Sequence, residues 1–210
     1  MMLIPIHKEM TCEALSALVS SRALEVIVAA NCKQDSPRGQ LGHDEYHFDN
    51  SAIEEGLRYI NEQRGFIMAS LLSASAISAW IAFGRLTHTV QDFYAHTNYV
   101  SLWLDAHAQN GTLPALPEID PIQKSLIESP KLRSGKVYFP LDMLYFIPFL
   151  RKLSLALLPR DSHGWMNLDS PEQGSLFKYA RFAAVKRTQY EFELLRNILT
   201  PEMFAKFIDL

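Results

Sequence analysis

The sequence predicts an all-α fold, a single-domain multi-helix bundle spanning residues 1–210, on three observations. Apolar residues recur at three- and four-residue steps along several stretches. Alternating strand patterns are essentially absent, and clusters of turn residues separate the periodic stretches.

The elements follow in order. Ala14, Leu15, Leu18 and Val19, then Leu24, Ile27 and Val28, mark a helix over 11–33 that the Ser20-Ser21 pair is placed to divide. The run from Asp35 to Gln40, DSPRGQ, is turn chemistry and ends it. A polar segment, HDEYHFDN, leads to a cap at Asn50 or Ser51 and a helix over 52–63. From Met68 an Ala- and Leu-rich stretch runs into a helix carrying GRLTHTVQDFYAHTNY, residues 84–99, which is expected to continue past Tyr99. After Asn110-Gly111 the pattern weakens. Residues 137–158 are apolar and aromatic but cut by Pro140 and Pro148, so short helices are expected. DSHGWMNLDSPEQG, 161–174, reads as a polar loop. A long amphipathic helix over 175–199 and a short one after Pro201 close the chain.

Composition narrows the class. With 48% hydrophobic and 20% charged residues and a net charge of −3, the chain has the makeup of a globular domain, not a disordered segment or a basic nucleic-acid binder. Cys12 and Cys32 form no pattern and are expected to be buried thiols. The opening MMLIPIHKEM has no signal-peptide apolar region, and no run is long enough to cross a bilayer. A cytoplasmic protein is the expectation, with signal-independent export left open.

The chemistry lies in the 84–99 block. His88, Asp92 and His96 are spaced four apart, so their side chains fall on nearly one helix face. Leu86, Val90, Phe93 and Tyr94 make the rest of that helix apolar, which argues against a solvated polar stripe. Burying imidazole, carboxylate and imidazole together is costly unless a cation sits on them. His88 and Asp92, one turn apart, can chelate one ion. His96 is about 12 Å along the axis from His88, which points to a second ion further down. Convergence of Asp35, Asp92 and Asp169 without nearby Lys or Arg would require cations, and zinc suits mixed nitrogen and oxygen ligands.

The order His7, Asp35, HFDN at 47–50, GRLTHTVQDFYAHTNY and His163…Asp169 resembles the zinc-dependent phospholipase C and single-strand nuclease superfamily, nearest its Het-C (heterokaryon-incompatibility) branch. The likeness runs from IHKEMTCEAL to KRTQYEFELL and is thinnest between about 105 and 160. It implies an all-α fold around two or three zinc ions and hydrolysis of a phosphodiester or a phospholipid head-group bond. Carried over by position, Asp35, His47, His88 and Asp92 would hold one zinc. Asp92 would bridge to a second, shared with His7, and His96, His163 and Asp169 would hold the third. Asp35 is the catalytic candidate, with Glu45 the alternative. Two departures stand out. Secreted relatives use a processed N-terminal amine beside the early histidine, whereas six residues precede His7 here. His163 and Asp169 are six residues apart, where the family places its pair one turn apart.

Three functional expectations follow. The first is a zinc-dependent phosphoric-ester hydrolase in which metal-bound water attacks phosphorus. The second is a nuclease, disfavoured because the acidic chain shows no basic stripe interleaved with aromatics. The third is a non-catalytic zinc protein in membrane association or cell-death signalling. The stretch YFPLDMLYFIPFLRKLSLALL bears on membrane contact: its length and aromatic content favour core helices over a lip that meets lipid.

Overall fold

The computed structural model describes residues 4–145, 147 and 149–210. Among them the architecture is all-α, with isolated bridges and no sheet. The helices are α1 (Ile4–Leu15), α2 (Ser21–Lys33), α3 (Pro37–Gln40), α4 (Asp44–His47), α5 (Ile53–Leu72), α6 (Ala76–His96) and α7 (Tyr99–His107). They continue with α8 (Lys124–Ile127), α9 (Leu141–Tyr145), α10 (Arg151–Leu157), α11 (His163–Met166), α12 (Phe177–Ile198) and α13 (Pro201–Ile208).

Helix α6 is the axis of the bundle. Every residue from Leu86 to His96 is buried, because α2, α5 and α12 all pack on it. The crossing with α2 depends on Gly84, where an added Cβ would stand 2.3 Å from the Ile27 carbonyl oxygen. That close approach also brings Asp35, just past the end of α2, to the motif helix. At the other end of the bundle Trp80 Nε1 donates to the Phe207 carbonyl (2.7 Å), tying α13 to α6. Arg64 and Arg187 clamp the buried Glu191 carboxylate between α5 and α12, each at 2.7 Å. No described helix is long and apolar enough to cross a membrane.

Several boundaries differ from the sequence reading, each for a local reason. The first helix begins at Ile4, so His7 lies inside it and not ahead of it. Pro5 is compatible with a first helical turn, where its missing N–H costs nothing. The Ser20-Ser21 break is real, and Ser20 caps α2 by accepting from the Ala23 amide. Helix α5 runs on to Leu72, and neither Asn50 nor Ser51 caps it. Both adopt positive φ, and their polar groups bind the 134–137 segment instead. The motif helix stops at His96 and does not pass Tyr99, because Thr97 Oγ1 turns back onto the Phe93 carbonyl (2.6 Å).

The expectation that 137–158 forms core helices is overturned. With α6 already enclosed, α9 and α10 pack chiefly on one another, leaving Phe139, Phe149, Leu153 and Leu157 exposed. The predicted interruption at Pro148 lies outside the described residues. Cys12 and Cys32 are free and half-buried, not fully buried.

Candidate metal centre

Two groups of ligand-type side chains sit along the face of α6 that the spacing singled out. In the first, His7, Asp35, His88 and Asp92 each offer an atom within 4.8 Å of all the others. His88 Nε2 is 3.1 Å from Asp92 Oδ2 and 3.8 Å from Asp35 Oδ1. His7 Nε2 is 3.1 Å from Asp92 Oδ1 and 3.7 Å from Asp35 Oδ2. His47 joins them, its Nδ1 standing 2.8 Å from Asp92 Oδ2 and 3.1 Å from His88 Nε2. The residues divided above between a first and a second ion thus form one group around Asp92. Asp35 lies within it, not at a rim, with Gln40 donating to its Oδ1 (2.8 Å). Glu45 stands apart, paired with His43 at 3.0 Å.

The packing of this cluster leaves atoms without a hydrogen bond. His7 Nε2, Asp35 Oδ2 and Asp92 Oδ1 are buried and accept or donate no hydrogen bond among the described residues. They face one another over 3.1–3.7 Å, nitrogen and oxygen donors aimed at a common point. Unsatisfied buried polar atoms are rare in native proteins and call for an explanation. A divalent cation bound by nitrogen and oxygen supplies one, and zinc matches this donor set.

The electrostatics reflect the crowding. Burial pushes the His7 imidazole down, but the Asp92 and Asp35 carboxylates outweigh it and hold its pKa at about 9. Burial dominates at His88 and, with the charge on His7, lowers it to about 4. Asp92 stays well below the usual carboxylate range: burial opposes this, and His96, His88 and His7 overcome it.

The second group lies at the end of α6. His96, His163 and Asp49 offer atoms within 4.8 Å of one another. His96 Nε2 is 2.9 Å from Asp169 Oδ1, and His163 Nε2 is 3.7 Å from Asp169 Oδ2. His163 Nδ1 is 2.9 Å from Asp49 Oδ1. His96, His163 and Asp169 therefore come together despite their separation in sequence, and Asp49 is an addition that the sequence reading did not make. It was within reach, because Asp49 is the acidic residue of the HFDN segment already singled out.

How the chain builds this group is visible in its backbone. Phe48 has φ 56° and is fully buried. Its ring packs edge-on against Phe93, and Gly56 gives it room, since a Cβ there would stand 2.5 Å from the ring. Anchored by Phe48, His47 reaches the first group and Asp49 the second. The His47 carbonyl also accepts from His96 Nδ1 (2.8 Å), fixing the outward aim of Nε2. Asn50 holds the 134–137 segment through the Gly135 carbonyl and the Val137 amide. That segment binds the His163 amide (2.8 Å), and Gly135 permits it, because a Cβ would stand 2.6 Å from the His163 Cα. The Leu168 amide donates to the Ala95 carbonyl (2.7 Å), which brings Asp169 alongside His96. The six-residue spacing is accommodated because 163–166 make one helical turn and Asn167 is extended.

Supporting side chains complete both groups. Gln91 Oε1 accepts from His7 Nδ1 (2.7 Å), while Gln91 Nε2 donates to Thr11 and Thr188. His47 Nε2 donates to the Gly39 carbonyl (3.2 Å). Such outer contacts set which imidazole nitrogen faces a metal.

A family model described as the VWA7 N-terminal domain matches residues 6–116, more than half of the 210-residue chain. The chain belongs to the VWA7 N-terminal domain family. The matched span holds His7, Asp35, His47, Asp49, His88, Asp92 and His96, and ends before His163 and Asp169. No curated protein and no solved structure matches the chain. In this chain the matched region carries the first group whole and two members of the second.

Proposed function

We propose that this VWA7 N-terminal domain is a zinc-dependent phosphoric-ester hydrolase of phospholipase C type. The observation that carries the reading is the buried set His7 Nε2, Asp35 Oδ2 and Asp92 Oδ1, close together and without hydrogen bonds, with a second nitrogen–oxygen group further along the same helix. Across both groups the ligands would be His7, Asp35, His47, His88 and Asp92, then Asp49, His96, His163 and Asp169. Bound zinc supplies a hydroxide at neutral pH and neutralises phosphoryl oxygens.

The chain's own groups divide the remaining work. No side chain of the first group is more than 3% exposed, whereas Asp49 is 13% exposed. A cavity of about 280 Å³ opens onto Asp49, His96 and His163, with Val137 and Phe139 on its wall. A phosphodiester would enter there. Burial raises the Asp49 carboxyl, but the His163 and His96 charges overcome this and keep it ionised. Asp49 is thus placed, ionised, to orient a nucleophile, a role for which Asp35, enclosed in the first group, lacks access. Val137 and Phe139 suit an ester with an apolar portion, such as a phospholipid.

The burial of the first group also favours a second reading, a zinc protein with no turnover. Elemental analysis of purified protein together with chromogenic phosphodiester and phosphocholine-ester assays separates the two. Two or more equivalents of zinc with hydrolysis abolished by chelation supports the hydrolase. Zinc without turnover supports the structural reading, one equivalent or fewer in folded protein overturns the hydrolase, and none overturns both.

A further inference from the structure

The segment the bundle leaves outside carries a charge unlike the rest of the chain. Of 20 Lys and Arg and 23 Asp and Glu, six basic residues and one acidic residue fall in 131–160, leaving 14 basic and 22 acidic elsewhere. Lys136 pairs with Asp161 and Arg151 with Glu172. Lys131, Arg133, Lys152 and Arg160 are exposed and make no ion pair among the described residues.

The same segment shows apolar side chains to solvent. Leu153 (57% exposed) and Leu157 (59%) are one turn apart on α10, and Phe149 (83%) immediately precedes that helix. Lys152 lies within this row in sequence and Arg160 follows it. The Arg160 guanidinium lies 3.8 Å from the Trp165 ring centre, and Trp165 Nε1 donates to the Leu155 and Leu158 carbonyls. Lys131, Arg133 and Arg160 also line a cleft of about 830 Å³ in which Asp105 is the one carboxylate.

We infer that this face, built from Phe149, Leu153, Leu157 and Trp165 with Lys131, Arg133, Lys152 and Arg160, docks on an anionic lipid bilayer. Exposed apolar side chains beside unpaired cations match the two requirements of a peripheral lipid contact, shallow apolar insertion and attraction to acidic headgroups. A protein partner would need a complementary acidic surface and would bury the leucines without selecting for lipid charge. Charge also disfavours a neutral bilayer, because unpaired cations gain nothing there.

The test uses the full chain and sedimentation with vesicles of phosphatidylcholine alone or mixed with phosphatidylserine. The protein should partition onto the mixed vesicles and not onto the neutral ones. Lys152→Gln with Arg160→Gln should lower that partition about 25-fold, at about fivefold per charge removed. Phe149→Ser, Leu153→Ser and Leu157→Ser together should abolish it while leaving the helical circular-dichroism signal unchanged. Trp80 and Trp103 are buried and Trp165 is 39% exposed, so a blue shift of tryptophan emission on vesicles, absent in Trp165→Phe, reports this face. Failure to bind phosphatidylserine vesicles, or binding by both multiple variants equal to that of the unmodified chain, overturns the inference. So does a dimer of the unmodified chain that the triple serine variant dissolves, since a second copy would then cover the row. Binding should persist in chelator, so loss of hydrolysis and loss of docking are separate results.

Discussion

The two ligand groups along α6 use the same side chains in opposite settings. The first, around Asp92, is sealed beneath α1, α2 and α4, and its His7, Asp35, His88 and Asp92 side chains have no exposed surface. The second, around His163, is roofed by a folded-back loop and borders a cavity through Asp49. A four-residue repeat on one helix therefore yields one group closed to solvent and one that borders a cavity. The difference lies in what covers the helix and not in the ligands.

The sharpest way to break the comparison is at Asp92, which touches His7, His47 and His88. Asp92→Asn should release the zinc of the first group and take hydrolysis to background. In metal-free protein it should also cost about 3 kcal/mol, because it leaves a buried cationic His7 without its partner. Elemental analysis and thermal melts check this against Glu54→Gln on the exposed face of α5, which should match the unmodified protein. Equal zinc content in the two variants would remove Asp92 from its central place.

A smaller effect should separate the two groups. Asp49→Asn should lower turnover about a hundredfold while the first group keeps its zinc and the melting temperature moves little. If the Asp49 variant instead loses all metal, the two groups act as one cluster and the contrast fails. Gln91→Leu tests the opposite end, because Gln91 orients His7 from behind. It should weaken zinc binding at the first group by about 10- to 100-fold, measured by competition with a chromophoric chelator, and leave the second group unchanged.

How much of this was legible in the sequence depends on distance along the chain. His88, Asp92 and His96 were readable because helical periodicity fixes which side chains share a face, and the apolar neighbours showed that face to be buried. The all-α class was readable for the same reason. Asp49 was in view only as part of HFDN, and its role was not readable, because its aim depends on the left-handed turn at Phe48 and a turn aspartate has many uses. Gln91 was hidden because the polar side chain behind a ligand has no spacing rule of its own. The apolar run of 137–158 misled because hydrophobicity states a preference for burial, not the room available. Here α2, α5 and α12 had already taken the flanks of α6.

The smallest effect is a pH dependence, led by His7 in the first group and shared by His163 in the second. There burial lowers the His163 imidazole, but the Asp49 and Asp169 carboxylates outweigh it and hold the pKa at about 9. Zinc needs a deprotonated His7 Nε2, and His7 holds its proton to a pKa of about 9. Zinc affinity at that group should therefore rise about tenfold per pH unit between about 7 and 9, with roughly one proton released per ion bound near pH 7.5. Titration calorimetry in buffers of different ionisation enthalpy measures that proton. His88, lowered to about 4, does not compete in this range. Metal-free stability should respond to both histidines with opposite signs. His7 has a folded pKa above its unfolded value of about 6.5, so its contribution is full below about 6.5 and is lost as pH rises through 9. His88 has a folded pKa below that value, so its contribution is full above about 6.5 and is lost as pH falls toward 4. The metal-free melting temperature should accordingly peak between about pH 6 and 7. Zinc-loaded protein should lose the alkaline decline, since the ion replaces the proton on His7. A metal-free melting temperature that climbs from pH 7 to 9 would show that His7 is neutral in the folded protein and that Asp92 and Asp35 do not act on it together.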